Sequence, residues 1–399
     1  VCVGSVKELY SLCEKSINAG FMSSNPFEGF VVDDFSIENY NKIDLHKNVV
    51  DNIILCSVSG KKMYKEPDVI DVWFDSGAMP YAQVHYPFEN KEIIEGGLGF
   101  PADFIAEGVD QTRGWFFTLH AISTMCFNSV AFKNVISNGL VLDKEGQKMS
   151  KRIGNVIDPF KLIEKYGADP VRWYMVSNSN PWENLKFDVS GIEDVSRRFF
   201  GTLFNTYSFF ALYANIDKFS PNNSTTRIQA SSVLDRWILS ELNSLILRVT
   251  SAYDNFDATR VTREIQSFVL DKLSNWYVRL CRRRFWKNTL DEDKLLGFEI
   301  LHQCLCVVSK MSSPIAPFYM DHLYRDLTGE KSVHLCSFPG ANKELINSQL
   351  EDEMGVVRSV VSLGLSLRKK EKIRVRQPIS SVSVVVKNSS LKSSISSFS

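Results

Sequence analysis

The sequence has no excess of either charge and no long apolar run. Its 46 Lys and Arg residues balance 46 Asp and Glu residues among 399, so the formal net charge is zero. This balance excludes a histone-like polycation and an acidic tail. No apolar run reaches the ~20 residues of a bilayer crossing, and residues 1–10 lack the charged and apolar pattern of a signal peptide. We therefore expect a soluble, cytoplasmic protein with no membrane partner.

Cysteine is present but never paired in sequence. The eight cysteines are dispersed, and none forms a C-x-x-C pair. Because structural zinc sites need closely spaced ligands and disulfides are rare in reducing compartments, we interpret them as core or surface residues and expect no protein-bound zinc. An initiator Met is also absent, and the chain opens at Val1. This start indicates a piece of a longer protein.

The patterns that are present predict an α/β domain followed by an all-α helix bundle. Residues 1–66 are polar and turn-rich, like the edge of a domain. Residues 67–190 alternate short β-branched and aromatic runs with helical patterns, as βαβ units do. From residue 191 to about 345 apolar residues recur three and four apart, which is typical of a bundle. Residues 218–232 are predicted to be a loop within the bundle, and the serine-rich residues 380–399 to be poorly ordered.

Two strands are predicted in the α/β region, and each ends in a polar loop. Residues 102–108 form the first, and a helix follows from Trp115 to Ile122. Residues 134–142 form the second, which ends in a polar turn at residues 143–147. A further helix is predicted over residues 170–176, with Asp169 as its N-cap.

A lysine loop follows the second strand. It consists of Lys148, Met149, Ser150, Lys151 and Arg152. Ligands of open α/β sheets bind beyond the carboxyl ends of the strands. Two ammonium groups there can reach the β and γ phosphates of a nucleotide and stabilise the charge of a departing pyrophosphate. Taken alone, such a loop is more often a solvated turn.

Two stretches upstream support a nucleotide site. Residues 107–116 (EGVDQTRGWF) lie between the first strand and its helix. Carboxylates such as Glu107 and Asp110 can accept hydrogen bonds from ribose hydroxyls, and Gly108 lets a ligand approach the backbone. Residues 71–77 (DVWFDSG) place Trp73 beside a turn.

Together these three stretches resemble the class I aminoacyl-tRNA synthetases. Residues 148–152 are similar to the KMSKS signature loop, with Arg152 where the signature has Ser. Residues 107–116 and 73–77 look like the isoleucine-specific branch of that class, and residues 274–279 (SNWYVR) are similar to its helical anticodon-binding domain. The resemblance spans nearly the whole chain.

The resemblance implies a fold for each region. Residues 1–66 would be the trailing part of the editing and connective region, and residues 67–190 the second half of a class I Rossmann-like nucleotide-binding domain. Residues 191–345 would be the anticodon-binding helix bundle, and residues 346–399 the start of a C-terminal extension.

The resemblance also implies a reaction. It is the ATP-dependent activation of L-isoleucine to isoleucyl-adenylate and its transfer to tRNA(Ile), with ATP and Mg²⁺ as cofactors and no oligomer expected. Lys148 and Lys151 would be catalytic, and residues 148–152 as a whole would bind ATP. The aminoacyl-adenylate would contact six residues, namely Glu107, Gly108, Asp110, Gln111, Trp73 and Trp115. For the two tryptophans, ordinary core packing is the alternative.

One family motif is missing from the sequence. Members of the class also need a His-x-Gly-His type motif that contacts the phosphates, and no two of the six histidines form it. The resemblance places this motif and most of the editing domain upstream. We therefore expect the chain alone not to form isoleucyl-adenylate at a useful rate.

Residues 271–288 combine six cations and four aromatic rings with one acid. At about 100° per residue, Leu273, Trp276, Tyr277 and Leu280 share a side that we predict to be core, and Lys272 lies with the other cations. Cations beside a stackable ring can bind RNA bases and phosphates. We therefore predict a tRNA-binding basic stripe formed by Arg279, Arg282, Arg283 and Trp286, with a solvated helix face as the alternative. Arg284 points toward the apolar side, where we expect a buried ion pair.

Two other functions remain compatible with the sequence. A small-molecule adenylating transferase could use the lysine loop, although it would not need the helical half. A tRNA-binding module without catalysis would explain the missing histidine motif if the polypeptide were a natural product. Residues 96–99 lack the Lys and Ser or Thr of a phosphate loop, and the basic residues 369–376 are interpreted as a charged helix end.

Overall fold

The computed structural model describes residues 1–221 and 232–385. These residues divide into two compact units, each with its own hydrophobic clusters. Unit 1 comprises Val1–Asp103 and Thr112–Lys133, and unit 2 comprises Phe104–Gln111 and the described residues from Asn134 onward. Most of the predicted loop at 218–232 and residues 386–399 of the serine-rich segment lie outside the described residues.

Unit 1 is built from helices and a short hairpin. Its helices are α1 (Val6–Asn18), α2 (Ile37–Tyr40), α3 (Lys47–Val50), α4 (Val72–Gly77), α5 (Met79–Ala82), α6 (Lys91–Glu95) and α7 (Trp115–Phe127). Strands β1 (Ile54–Cys56) and β2 (Lys62–Tyr64) pair antiparallel. The predicted helix after residue 114 is confirmed as α7.

Helix α1 was not predicted, although a capping pattern marks its start. Ser5 is the N-cap, and its hydroxyl accepts a hydrogen bond from the Glu8 backbone at 3.1 Å. The spacing of Ser5 and Glu8 is that of a capping box. Cys13 of this helix is fully buried in a cluster with Phe27 and Ile53, so the turn-rich first residues have a small core of their own.

Unit 2 begins with an α/β layer. Its strands are β3 (Ile105–Gly108), β4 (Val135–Asn138), β5 (Val141–Leu142) and β6 (Leu185–Lys186). β3 pairs parallel with β4, and β5 pairs parallel with β6. Helices α8 (Pro159–Tyr166), α9 (Ala168–Asn178) and α10 (Val189–Asp194) belong to the same layer.

The prediction of one strand over residues 134–142 is wrong. The chain forms β4 and β5, which pair with different strands, and the change of partner occurs at Gly139. The Gly139 backbone donates to Pro181 O at 2.8 Å, and a Cβ on Gly139 would clash with the Glu183 carbonyl. The segment leading to β6 therefore approaches too closely for any larger residue.

The helix bundle is confirmed in unit 2. Its helices are α11 (Gly201–Ile216), α12 (Val233–Asp254), α13 (Ala258–Ser267), α14 (Arg279–Phe285), α15 (Glu292–Ser312) and α16 (Pro317–Thr328), with π-helical segments at Val195–Phe200 and Phe268–Val278. Helix α17 (Ser348–Lys370) follows, and Leu350 and Met354 near its start join the bundle core. Helix α15 has the length and composition of a membrane span, and most of it is buried inside the bundle.

Asp169 does not have the predicted role of N-cap. Helix α9 starts at Ala168, two residues before the predicted start, and its N-cap is Gly167 with φ 86°. The Asp169 carboxylate instead accepts hydrogen bonds from the backbone of Phe318 at 3.5 Å and Tyr319 at 2.6 Å. Burial raises the pKa of this carboxyl, and the two backbone hydrogen bonds oppose the rise. Asp169 therefore satisfies free N–H groups at the start of α16, not of its own helix.

Candidate nucleotide and RNA sites

The lysine loop starts from a well-defined turn. Asp143 accepts a hydrogen bond from the Gln147 backbone through Oδ1 at 2.7 Å, and Gly146 has φ 85°, a conformation that favours glycine. Lys148 then forms an antiparallel bridge with Leu142 of β5. The predicted turn at 143–147 is confirmed, and it connects β5 to the loop.

The cations of the lysine loop point to solvent, while its backbone is held. Lys148, Lys151 and Arg152 are exposed, and their side chains form no ion pair with any other residue in 1–221 or 232–385. Met149 packs against the cluster formed by Leu162, Tyr174, Leu185, Phe187 and Ile192. The arrangement leaves the ammonium groups free to bind an anion.

Asn155 connects three parts of this loop. Its Nδ2 group donates to Asp143 Oδ2 at 2.8 Å and to Lys148 O at 3.3 Å, and its Oδ1 accepts from the Ser150 backbone at 2.8 Å. Hydrogen bonds lower the pKa of Asp143, with the Asn155 bond as the largest cause and the Gln147 bond next. Asn155 was not among the predicted site residues. The only local signal was a polar residue shortly after the signature loop.

The predicted adenylate-binding residues Glu107, Gly108, Asp110 and Gln111 lie together at the end of β3. Gln111 Nε2 donates to Asp110 Oδ2 at 3.3 Å, and a Cβ on Gly108 would lie 2.5 Å from Asp110 Oδ1. Because Gly108 has no side chain, the Asp110 carboxylate can lie against the end of β3. Exposed carboxylates at this position can accept hydrogen bonds from a sugar.

The lysine loop and the residues after β3 do not leave neighbouring strands, because the loop follows β5, which pairs with β6, whereas β3 pairs with β4. Gly108 of β3 is opposite Asn138 of β4, so both strands end at the same edge. The chain then runs through Gly139 and β5 before it reaches Lys148. A common ligand for the two groups remains a prediction.

Trp73 and Trp115 belong to unit 1, where α4 packs against α7. The Trp115 indole donates to Ser76 O at 3.0 Å, and a Cβ on Gly77 would lie 2.8 Å from Ile122 Cδ1. Trp115 therefore has a packing role in this corner. Trp73 is 45% exposed in the first turn of α4. The role of either ring in an amino-acid pocket remains a prediction.

The basic stripe is exposed in the bundle. Arg279, Arg282 and Arg283 have exposed side chains that form no ion pair with another described residue, and Trp286 is 53% exposed. Lys272 does not belong with them, because it forms a partly buried ion pair with Glu241 at 2.5 Å. Without Lys272, the three arginines still form a cationic surface beside the exposed Trp286 indole.

The predicted core side of this helix is correct for Leu273 and Tyr277 and wrong for Leu280. Leu273 and Tyr277 are fully buried, whereas Leu280 is 50% exposed. The π-helical segment Phe268–Val278 explains the difference. Its hydrogen bonds span five residues instead of four, so each residue turns through a smaller angle and the side chains after it face a new direction.

The buried ion pair predicted for Arg284 is confirmed. Its Nη1 group lies 2.7 Å from Asp235 Oδ1 and its Nη2 group 3.1 Å from Asp293 Oδ1. Tyr277 also donates to Asp235 Oδ1, at 2.8 Å. Burial and the neighbouring carboxylate hold the pKa of Tyr277 well above its usual value. This network fixes the helix that carries the basic stripe.

Two family models match the chain. The model described as tRNA synthetases class I (I, L, M and V) matches residues 23–188, and the anticodon-binding domain of tRNA ligase matches residues 235–385. The chain thus contains a class I tRNA synthetase domain followed by an anticodon-binding domain of tRNA ligase. The predicted fold class, a Rossmann-like catalytic region followed by an all-α anticodon-binding domain, is confirmed, while our domain boundaries remain predictions.

Relatives of this synthetase chain are named isoleucine–tRNA ligases. The one from Bacteroides fragilis is 57% identical over 393 residues, which cover 96% of this chain and 34% of the relative. The one from Porphyromonas gingivalis is 56% identical, with 96% and 34% covered, and the one from Clostridium acetobutylicum is 44% identical, with 97% and 35% covered. The chain spans about a third of the length of these relatives.

Solved synthetase structures share the fold. The LeuRS of Agrobacterium radiobacter K84, in a ternary complex with tRNA and LeuAMS, matches with a TM-score of 0.58 and 18% identity over 73% of this chain and 35% of its own. The methionyl-tRNA synthetase of Mycobacterium tuberculosis, in complex with methionyl-adenylate, matches with a TM-score of 0.54 and 19% identity over 65% and 51%. At these identities the likeness supports the fold alone.

Proposed function

We propose that this chain is the catalytic-to-anticodon portion of an isoleucine–tRNA ligase. The enzyme would activate L-isoleucine with ATP and transfer it to tRNA(Ile) in the cytoplasm. The observation that carries the proposal is the lysine loop, which follows β5 through the turn at residues 143–147 and presents Lys148 and Lys151 without ion-pair partners among the described residues. The names of the relatives support the choice of amino acid.

In the activation step, an isoleucine carboxylate oxygen attacks the α-phosphorus of ATP. The bond from that phosphorus to the bridging oxygen of pyrophosphate breaks, and the leaving group takes the electron pair. Lys148 and Lys151 would stabilise this developing negative charge, because a cation placed where charge accumulates lowers the barrier. Mg²⁺ would enter with the phosphates of ATP.

The residues after β3 would bind the rest of the adenylate. Glu107 and Asp110 are exposed at the strand end, where carboxylates can accept hydrogen bonds from ribose hydroxyls. Gly108 would take part through its backbone, beside the Asp110 carboxylate that occupies the space of a side chain, and Gln111 would hold Asp110 in place through their hydrogen bond. Trp73 and Trp115 would line the pocket for the isoleucine side chain.

The basic stripe would contact tRNA(Ile). Three exposed guanidinium groups can pair with phosphates, and the Trp286 ring can stack on an unpaired base. The stripe also favours a second candidate function, a tRNA-binding module without catalysis, because RNA binding by these residues does not depend on the lysine loop.

The proposal is tested by isoleucine-dependent exchange of pyrophosphate into ATP. In the protein at its full natural length, Lys151→Ala and Lys148→Ala should each lower kcat by about 10²- to 10³-fold. Lys144→Ala is the matched control, because this exposed lysine pairs with Glu145 in the preceding turn and should leave exchange unchanged. Exchange that requires a different amino acid, or that requires no amino acid, would overturn the proposal.

The 399-residue chain alone should not catalyse exchange, since we propose that the remaining phosphate-binding groups lie elsewhere in the protein. Isoleucine-dependent exchange by this chain, at a rate near that of the full-length protein, would refute this part. Specific tRNA binding would favour the binding module if neither the full-length protein nor the 399-residue chain catalysed exchange.

A further inference from the structure

We propose that Asn155 is a positioning residue for the lysine loop. Its amide holds the loop backbone against the Asp143 turn, and this sets the places from which Lys148 and Lys151 reach a nucleotide. The inference rests on the proposed function, because it deepens the role of the same site.

The Asn155 side chain bonds three separate points of the loop and its turn. It is half-buried, and its hydrogen bonds to Asp143, Lys148 and Ser150 measure 2.8, 3.3 and 2.8 Å. It donates to a carboxylate and to a backbone carbonyl while it accepts from a backbone N–H group. A neutral amide can do all three, whereas a carboxylate can only accept.

These hydrogen bonds lie on both sides of Met149. The Asn155 amide therefore fixes the backbone immediately before and after this residue. Met149 itself packs on the apolar cluster beneath the loop. Lys151 and Arg152 come next, in a turn where the Ile153 and Gly154 backbones each donate to Ser150 O at 3.2 Å.

Asp143 gives this anchor its strength. Its Oδ1 atom holds the Gln147 backbone at 2.7 Å and its Oδ2 atom holds Asn155. The Asn155 hydrogen bond is the largest cause that lowers the pKa of Asp143, as expected where the acceptor is a charged carboxylate. Hydrogen bonds to an ionised acceptor are stronger than those between neutral groups. The turn before the loop and the segment after it are thus bonded to each other.

Neither lysine side chain of the loop contributes to this anchoring. The side chains of Lys148 and Lys151 are exposed and have no ion-pair partner within the described residues. The backbone is fixed by Asn155 while the ammonium groups remain available to a ligand. This division between an anchored backbone and free charges is what a preorganised phosphate site requires.

Limited trypsin digestion tests the anchor without reference to activity. Trypsin cleaves after Lys148, Lys151 and Arg152, and cuts in the full-length protein can be assigned by mass spectrometry. Asn155→Ala and Asn155→Asp should both raise cleavage at these sites on the order of tenfold or more relative to the rest of the chain. Asn155→Asp keeps the acceptor but removes both donors and sets a second carboxylate against Asp143.

Asn52→Ala is the matched control. Within the part of the chain that the structure describes, the Asn52 side chain donates only to Asn48 O, in unit 1, so its removal should leave the lysine loop unchanged. Unfolding midpoints show whether the variants remain folded. The proposal would be overturned if the unmodified protein and the three variants were cleaved equally at the lysine loop. It would also be overturned if cleavage of the Asn155 variants rose uniformly at every tryptic site.

Pyrophosphate exchange tests the catalytic consequence. Asn155→Ala should lower kcat/KM for ATP by about ten- to a hundredfold, because the lysines no longer start from the correct place. In the Asn155→Ala/Lys151→Ala double variant the two effects should not multiply, because both act through Lys151. Unchanged kcat/KM in an active protein would overturn the positioning role. Failure of the proposed function would give a different result. The unmodified protein would then show no exchange, while the trypsin result would still hold.

Discussion

Arg284 and Asp235 form a buried ion pair inside the helix bundle, with 2.7 Å between Nη1 and Oδ1 and side-chain exposures of 8% and 0%. Burial by itself lowers the pKa of Arg284, and the hydrogen bond and charge of Asp235 reverse this to a net increase. The pair joins α14 to α12. The orientation of the basic stripe on and after α14 thus depends on a charge pair shielded from solvent.

Breaking this pair should destabilise the bundle strongly. Arg284→Met leaves the Asp235 carboxylate buried without its cation, a change that typically costs about 3–5 kcal/mol of unfolding free energy. Urea unfolding followed by circular dichroism measures it. Arg283→Met is the matched control, since that exposed arginine should change stability by less than about 0.5 kcal/mol. Similar values for the two variants would show that the pair contributes little.

Removing charges from the basic stripe should weaken tRNA binding. Arg279→Ala/Arg283→Ala should raise the Kd for tRNA(Ile) and reduce the slope of log K against log salt by about two, one for each phosphate that is no longer neutralised. Circular dichroism should be unchanged because both side chains are exposed. Lys15→Ala/Lys91→Ala removes the same charge from exposed positions in unit 1 and controls for net charge. An unaltered Kd would mean that the stripe is only a solvated face.

A methyl group at Gly77 should destabilise unit 1. It would lie 2.8 Å from Ile122 Cδ1 and 2.9 Å from the Thr118 carbonyl, so α4 and α7 would have to move apart. Gly77→Ala should cost about 1–3 kcal/mol in thermal or urea unfolding. Gly355→Ala is the contrasting variant, because nothing lies within 4 Å of its new Cβ in α17 and alanine favours a helix by roughly 0.5–1 kcal/mol. Stabilisation by both substitutions would refute the close helix packing.

His302 should make the bundle less stable in mild acid. Burial lowers its pKa below 6.5, although the hydrogen bond to Leu327 O opposes this. A lowered folded-state pKa means that the unfolded chain takes up the proton first as pH falls. The contribution of His302 to the free energy of unfolding is therefore complete above about pH 6.5 and is lost as pH falls from there through the lowered value. Urea unfolding at pH 7.5 and 5.5 should show a smaller difference in His302→Gln than in the unmodified protein. An equal difference would assign the pH dependence to other groups.

Signals within short stretches of sequence predicted much of this protein. The apolar spacing after residue 191 predicted the bundle, because one buried helix face repeats every three or four residues. The direction of Arg284 toward that face predicted its buried ion pair. The lysine loop and the residues after β3 were identified because each is contiguous and its residue types suit a phosphate or a sugar.

Other features depend on partners that are distant in sequence. Asp169 bonds the backbone of Tyr319, 150 residues away, and local propensity assigned it to its own helix instead. The chain leaves β4 at Asn138 and pairs with a different strand in β5, because Glu183 lies against Gly139. The exposure of Leu280 follows from a π-helical segment that regular α periodicity does not anticipate.

The sequence by itself determined the family, the order of α/β layer and bundle, and the residues that suit phosphate and RNA chemistry, because propensity, periodicity and short motifs are local properties of the chain. Only the tertiary structure decided that Asn155 anchors the lysine loop, that Lys272 pairs with Glu241 and that Asp169 caps α16. Each of these depends on which hydrogen-bonding groups meet after folding, and a buried charge or amide is stable only where such a partner is in place.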